Sequence, residues 1–389
     1  MQTLRGISCS MFLFACLAVP VMQSQTYTLL HSFKFGDGTS PGNGLTVDPE
    51  ANLYGVASAG GNSRCQNRQG CGTVFKIDPS GVFTILHTFA QEPDGSNPTG
   101  APYRDGAGNL YGVTYYGGNG YGTIYKIDPQ GNETVLHNFA GPEGANPVGP
   151  LVPDGKGHLY GIASIGGAVG YGTIFRMSGN GNVAVVHNFA FSDGSGPSGS
   201  LLMDPLGNIY GTTIFGGASD HGTVFKIDPR GNESVLYSFT GGADGDEPEQ
   251  GVILDSAGNL YGTTAAGGIS CGGLGCSVIF KLSPDGNEST VFSFSGYPTD
   301  GADANGPLLM DPAGNLYGTT FGGGTEADSD GTIFKIDPTG KETILYQFSK
   351  ANGMLLLWGL IRDRTGNIYG TTTQGGANGL GTIFRLKVH

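Results

Sequence analysis

The chain has 389 residues, 72 of them Gly and 21 Pro, with 13% charged residues and a formal net charge of −13. No basic run occurs; nucleic-acid binding needs a cationic face for the phosphates, so it is excluded as a reading, and an anionic membrane surface is disfavoured on the same ground. The glycines recur at fixed places, which marks turns rather than disorder, and the many Tyr, Phe and Thr suit a chain built of sheet.

The chain begins with an expected secretory signal over residues 1–24. Arg5 precedes an apolar run from Ile7 to Met22, which is short for a membrane span and ends in Gln23-Ser24-Gln25. A lipoprotein reading would use Cys16, against which the bulky Phe14 counts. No other segment is long and apolar enough to span a bilayer. Export favours disulfides among Cys65, Cys71, Cys271 and Cys276. Three pairings are possible. Cys65–Cys71 and Cys271–Cys276 are expected, because each pair falls within one loop of the same type.

Residues 25–389 read as a single domain of seven repeats. The tetrad Asn315-Leu316-Tyr317-Gly318 recurs around Tyr54, Tyr111, Tyr160, Tyr210, Tyr261 and Tyr369. A period of about 50 residues holding four short strands points to a propeller blade. In the sixth copy the strand-like runs are 308–310, 316–320, 332–336 and 343–348. The first two are joined by Asp311-Pro312-Ala313-Gly314-Asn315 and the last two by Asp337-Pro338-Thr339-Gly340. These are tight turns in which Asp bonds its own backbone. They hardly change between copies. The other connections do change: a Gly-Gly pair with an insert (Gly60-Gly61 in the first copy, Gly322-Gly323 in the sixth), and the loop into the next repeat. In an up-and-down blade both variable loops emerge on one face, where binding is expected. Residues 27–33 are a fourth run with no blade before them, and the chain stops after a third run. The two pieces together predict an all-β, seven-bladed propeller of four antiparallel strands per blade. One N-terminal strand closes it against three C-terminal strands, and a monomer is expected.

The layout Asp-x-x-Gly-Asn, Leu/Ile-Tyr, then Val/Ile-Phe-Lys-Ile-Asp-Pro-x-Gly resembles the NHL-repeat propellers. The run Asn-Leu-Tyr-Gly-Thr-Thr, Gly-Gly, Gly-Thr-Ile/Val-Phe-Lys-Ile-Asp more closely resembles the glycine-rich tandem repeats of secreted bacterial proteins called GloVer repeats. The resemblance covers residues 27–388 and implies an exported, surface-associated propeller. It brings no catalytic residues.

His31, His87, His137 and His187 share one position of the fourth strand, held by Tyr237, Phe292 and Tyr346 in later copies, so it reads as a packing position. The recurring third-strand cations, such as Lys76, Lys226 and Arg385, are expected to pack their stems along the blade and reach carboxylates near the constant turns. Asp244 to Glu249, Asp300 to Asp303 and Glu326 to Asp330 are acidic loops. The first has oxygens for calcium but lacks EF-hand spacing, and solvated loops are the plainer reading; no other cofactor is implied. His-Glu-x-x-His is missing.

The candidate binding residues lie on the variable face: Tyr116 and Phe215 beside their Gly-Gly pairs, His221 in its loop, and Leu356 and Trp358. The last two belong to the run Met354-Leu355-Leu356-Leu357-Trp358, where other copies are polar. That run either packs beside the ring closure or leaves Trp358 as an exposed anchor. The leading expectation is a secreted, non-catalytic propeller binding a protein or glycan through this face. The alternative is a lyase or hydrolase with titratable groups at the central channel mouth.

Overall fold

Strand-forming runs joined by turns too short for a crossover can only pair antiparallel with their neighbours. In the computed structural model each repeat does so. The structure describes residues 25–42, 44–65, 68–90, 93–268, 277–326, 329–356 and 358–388. Blade 4 is typical, with strands Ser195–Met203, Ile209–Phe215, Thr223–Ile227 and Glu233–Ser238 in that order from the axis outward. Blades 1, 2, 3, 5 and 6 span 45–88, 96–138, 145–188, 252–293 and 309–347. Blade 7 takes Ile361–Arg362, Ile368–Thr372 and Thr382–Lys387 from the C-terminal end. Its outer strand is Thr26–Ser32, antiparallel to Thr382–Lys387. The expected closure is therefore present.

The recurring tetrad can be read atom by atom. In blade 6 the Asn315 side-chain amide donates to Asp311 Oδ2 at 2.8 Å, and the Tyr317 hydroxyl donates to the same oxygen at 3.0 Å. Asp311 Oδ1 meanwhile accepts the Ala313 and Asn315 backbone N–H groups, which closes the turn. Leu316 is buried. Gly318 leaves room for the Phe334 ring of the next strand; a Cβ there would lie 2.4 Å from Phe334 Cζ. Gly55, Gly161, Gly211, Gly262 and Gly370 stand in the same relation to a Phe ring, and Gly112 to Tyr125.

That third-strand ring is also the contact between blades. A fully buried Phe ending each outer strand packs against it from the preceding blade, as Phe189 does on Phe225. The centroid separation is 5.0–5.4 Å at all seven junctions, including Phe33 on Phe75 and Phe348 on Phe384 across the closure. Such pairs contribute about 0.5–1.5 kcal/mol beyond their buried area. Near the axis the inner strands meet backbone to backbone. Gly149 has φ +72, and a Cβ there would lie 2.0 Å from the Gly199 carbonyl oxygen.

One register differs from expectation. Gly323 bridges Asp330 as Gly60 bridges Gly70 and Gly166 bridges Tyr171. The pair in the sixth copy is thus Gly323-Gly324, and Gly322 takes the place of Ala59 or Tyr116. The extra glycine in Gly322-Gly323-Gly324 hid this, because three glycines offer two equivalent pairs.

Cys65 and Cys71 form a disulfide with Cα atoms 5.5 Å apart, buried beside Val74 and Phe89. The expected Cys271–Cys276 pair lies outside the described residues. Replacing both Cys65 and Cys71 by Ala is expected to cost roughly 2 kcal/mol, the chain entropy of a short loop. A denaturant midpoint unchanged from the parent chain would assign the ordering of that loop to packing alone.

Candidate functional site

The constant turns gather on one face. The third-strand cations near it do not reach the turn carboxylates, contrary to expectation. Lys76, Lys126, Lys226 and Lys281 lie 5.7–5.9 Å from the ring centroids of Tyr54, Tyr111, Tyr210 and Tyr261. Among the described residues no third-strand Lys or Arg pairs with an acid; Asp48 has a 3.9 Å contact with Arg104, a first-strand residue. The reason is saturation. In six of the seven blades the turn Asp before the second strand already accepts from Asn, Tyr and two backbone N–H groups, so the cation takes the ring face; in blade 3 Asp154 has His158 in place of Asn. Those hydrogen bonds hold the turn carboxyls below the usual range against the opposing effect of burial, Asp363 to about 2.

The outer-strand histidines are packed as expected, each edge-on to the Phe two residues later at 4.8–5.0 Å. They also have a partner that the sequence reading missed. His31, His87, His137 and His187 bond Asp37, Asp94, Glu143 and Asp193 through Nε2 at 3.1 Å. The same acid accepts the backbone N–H after the Phe in Ala90, Ala140 and Ala190. An acid six or seven residues after each His was the available signal.

The strand twist brings a second acid to this rim from the next blade. Glu133, Glu233, Glu288 and Glu342 begin the outer strands of blades 2, 4, 5 and 6. Burial, and then the charge of Asp94, Asp193, Asp244 and Asp300 respectively, pushes their carboxyls up to about 7. A carboxyl raised on folding holds its proton better in the folded chain. Its stabilisation is complete below about pH 4.5 and is lost as pH rises through about 7. The depressed turn carboxylates act oppositely, losing their contribution as pH falls below about 4. Stability should therefore peak around pH 4–5 and decline toward neutrality. In Glu288→Gln/Glu342→Gln that decline should flatten, by on the order of 1 kcal/mol per site after discounting for half-exposed groups. Melting temperatures from pH 5 to 8 that fall equally in both chains would refute this.

On the variable face, blades 2, 3 and 4 differ from the rest at two equivalent positions. Just before the Gly-Gly pair they carry Tyr116, Ile165 and Phe215, where other blades have Ala59, Ala266, Gly322 or Gln374. Just before the third strand they carry Tyr121, Tyr171 and His221, against Cys71, Asp330 and Leu380 elsewhere. Phe191, in the loop from blade 3 to blade 4, meets Tyr171 with centroids 5.4 Å apart. Apart from His221, these large side chains are 39–49% exposed. The loops are held from below: the Asn146 backbone N–H donates to the Tyr121 carbonyl at 2.8 Å, and its side-chain amide to the Tyr115 carbonyl at 2.9 Å. His221 Nδ1 lies 2.8 Å from Asp246 Oδ1. Tyr116, Phe215 and His221 thus share one sector. Tyr121, Ile165, Tyr171 and Phe191 were missed, although alignment of the copies would have found the first three.

Leu356 and Trp358 are elsewhere. Leu356 is fully buried in the core with Phe348 and Phe384, so its place as a binding residue is corrected to packing. Leu357 lies outside the described residues. Trp358 is half-buried and turned to the axis, where a Cβ on Gly42 would lie 2.9 Å from its ring. It lines an axial cavity of about 180 Å³ with Leu45, Ala101, Pro150, Ser200 and Pro307 among its walls. No titratable side chain lines that cavity among the described residues. The acidic loop residues Asp244, Asp246 and Glu249 turn to different partners, Tyr237, His221 and Asn305. No described helix is long and apolar enough to cross a membrane.

The fold is shared with solved structures of low sequence identity. The extracellular domain of a candidate hybrid two-component system from B. thetaiotaomicron matches with TM-score 0.57 and 14% identity, over 92% of this chain and 41% of that one. A second extracellular domain from that organism matches with TM-score 0.58 and 11% identity, over 92% and 39%. The chain thus spans about two fifths of these two proteins. A candidate 6-phosphogluconolactonase from Bacteroides uniformis matches with TM-score 0.53 and 15% identity, over 85% and 95%. No curated protein matches significantly. The Gloeobacter/Verrucomicrobia repeat matches over residues 20–205, 65–276 and 270–389, which together take in every blade. The chain belongs to the Gloeobacter/Verrucomicrobia repeat family.

Proposed function

We propose that the chain is an exported binding module that engages an extracellular protein or glycan through the variable face above blades 2 to 4. The observation that carries this reading is the asymmetry of that face. A scaffold repeated seven times has no structural need for large apolar side chains just before the Gly-Gly pair in three adjacent blades only. Their exposed area gains nothing from the fold, and contiguous exposed aromatic surface marks binding sites. Aromatic rings beside amide and hydroxyl groups suit both a sugar face and a protein hot spot. Export is supported by the residue 1–24 pattern, the Cys65–Cys71 disulfide and the extracellular setting of the structural neighbours.

The test is a screen of the purified chain against glycans and surface proteins, followed by Tyr116→Ala, Tyr171→Ala and Phe215→Ala. Each should weaken the ligand found by tenfold or more at an unchanged melting temperature. Binding that survives all three but is lost in Trp358→Ala would move the site to the axial cavity.

A further inference from the structure

The outer rim brings histidine and carboxylates together between blades. At the junction of blades 3 and 4 they are His187, Asp193 and Glu233. One ligand atom from each lies within 4.8 Å of the other two. Asp193 is held in place, since one oxygen accepts the Ala190 N–H at 2.8 Å and the other meets His187 Nε2 at 3.1 Å. Glu233 comes from the next blade, paired through its backbone with Ile227. Its Oε1 is shielded from water and has no hydrogen-bond partner, as is also true of Glu133, Glu288 and Glu342; what sets Glu233 apart is the imidazole within reach of its acidic pair. Two neighbouring carboxylates with one oxygen buried and unsatisfied are costly unless a proton or a cation sits between them.

We propose that His187, Asp193 and Glu233 form a divalent transition-metal site that ties blade 3 to blade 4. Between blades 1 and 2 His87, Asp94 and Glu133 are the same residue types, but their three ligand atoms do not all come within 4.8 Å of one another. His87 Nε2 meets both Asp94 oxygens at 3.1 and 3.2 Å, the Ala90 N–H donates to Asp94, and Glu133 Oε1 is likewise buried without a partner. One imidazole and two carboxylates suit Zn²⁺ or Mn²⁺ better than calcium, which prefers an all-oxygen shell. A Zn²⁺ ion holds its ligands at about 2.0–2.2 Å, so they sit roughly 3.3–3.6 Å from one another. The three ligand atoms therefore have to draw together from within 4.8 Å, and water completes the shell.

The other junctions are built-in controls. Phe83 and Val183 replace the glutamate opposite His31–Asp37 and His137–Glu143, and Phe83 stacks on His31 at 3.9 Å. Tyr237 and Phe292 replace the histidine where Glu288 and Glu342 remain. Tyr346, Asn352 and Tyr27 replace all three between blades 6 and 7, with the two tyrosines stacked at 4.3 Å. The packing at these junctions shows that the rim tolerates the loss of either ligand type.

The experiment is calorimetric titration of the chelator-treated, non-reduced full chain with Zn²⁺, with a Co²⁺ absorption spectrum as a second readout. The expected result is one equivalent that raises the melting temperature. Glu233→Gln should weaken it at least tenfold, and Glu133→Gln should leave it unchanged. His187→Phe, which copies the residue found at Phe292, should remove the same equivalent as Glu233→Gln. His137→Phe should leave the stoichiometry unchanged. No saturable binding by the parent chain would overturn the proposal. So would binding that keeps its stoichiometry and affinity in folded Glu233→Gln, since the ion would then sit elsewhere.

Discussion

Gly211→Ala is expected to lower stability by about 3 kcal/mol, at the upper end of what one added methyl costs in a closed core. The added Cβ would lie 2.6 Å from Phe225 Cζ, and Phe225 cannot retreat because Phe189 of the preceding blade packs on it at 5.1 Å. The backbone at Gly211 is not in the left-handed region, so the penalty is steric alone. Shrinking the opposing ring should therefore relieve it. Gly211→Ala/Phe225→Leu should be less destabilised than the sum of the two single variants by 1 kcal/mol or more, a coupling typical of residues in contact. Additive denaturant midpoints would show that the glycine has some other purpose. The same argument applies to the last residue of every tetrad, which makes Gly211 a sample of a sevenfold rule.

Removing residues 26–33 should have the larger effect. The deletion takes away the outer strand of blade 7, exposes the edge Thr382–Lys387, and removes the contact of Phe33 with Phe75 and the stack of Tyr27 on Tyr346. An uncovered strand edge is a template for pairing with another chain. The shortened protein is expected to elute as oligomers or aggregate rather than as a folded monomer. Phe33→Ala separates the two parts of the effect. It keeps the strand and should cost about 3–5 kcal/mol, as for a fully buried Phe, without changing the oligomeric state. A deleted chain that stays monomeric and melts with the parent would show that closure contributes nothing to stability.

The two proposed sites adjoin. The aromatic sector sits above blades 2 to 4, the His-carboxylate cluster sits at the rim of junction 3–4, and the loop between those blades carries both Phe191 and Asp193. Zinc affinity and ligand affinity are separate readouts, and Tyr171→Ala should weaken the ligand while sparing zinc.

Architecture was legible in the sequence because a blade is made locally. The four strands of blade 4 are joined by short connections, and the Asp204-to-Asn208 turn is closed by its own side chains at 2.7–2.9 Å. Repeat count, closure by residues near 27–33 and the Cys65–Cys71 pair all follow from residues close in the chain or from the offset of a period. What the tertiary structure decided lies between blades. Glu233 meets His187 and Asp193 only because twisted outer strands cross from one blade toward the next, and Val183 or Phe83 in the same place looks no different in a list of strand residues. The sequence leaves Trp358 open between packing beside the ring closure and an exposed loop anchor; the inner strand that follows turns it to the axis, beside Gly42, a residue more than three hundred positions away. The lysines went to tyrosine rings because the turn carboxylates were already saturated, a count of hydrogen bonds that spacing alone does not supply. Periodicity fixes which residues share a strand face. Which of those faces meet, and which stay open to solvent, depends on how seven twisted sheets pack around one axis.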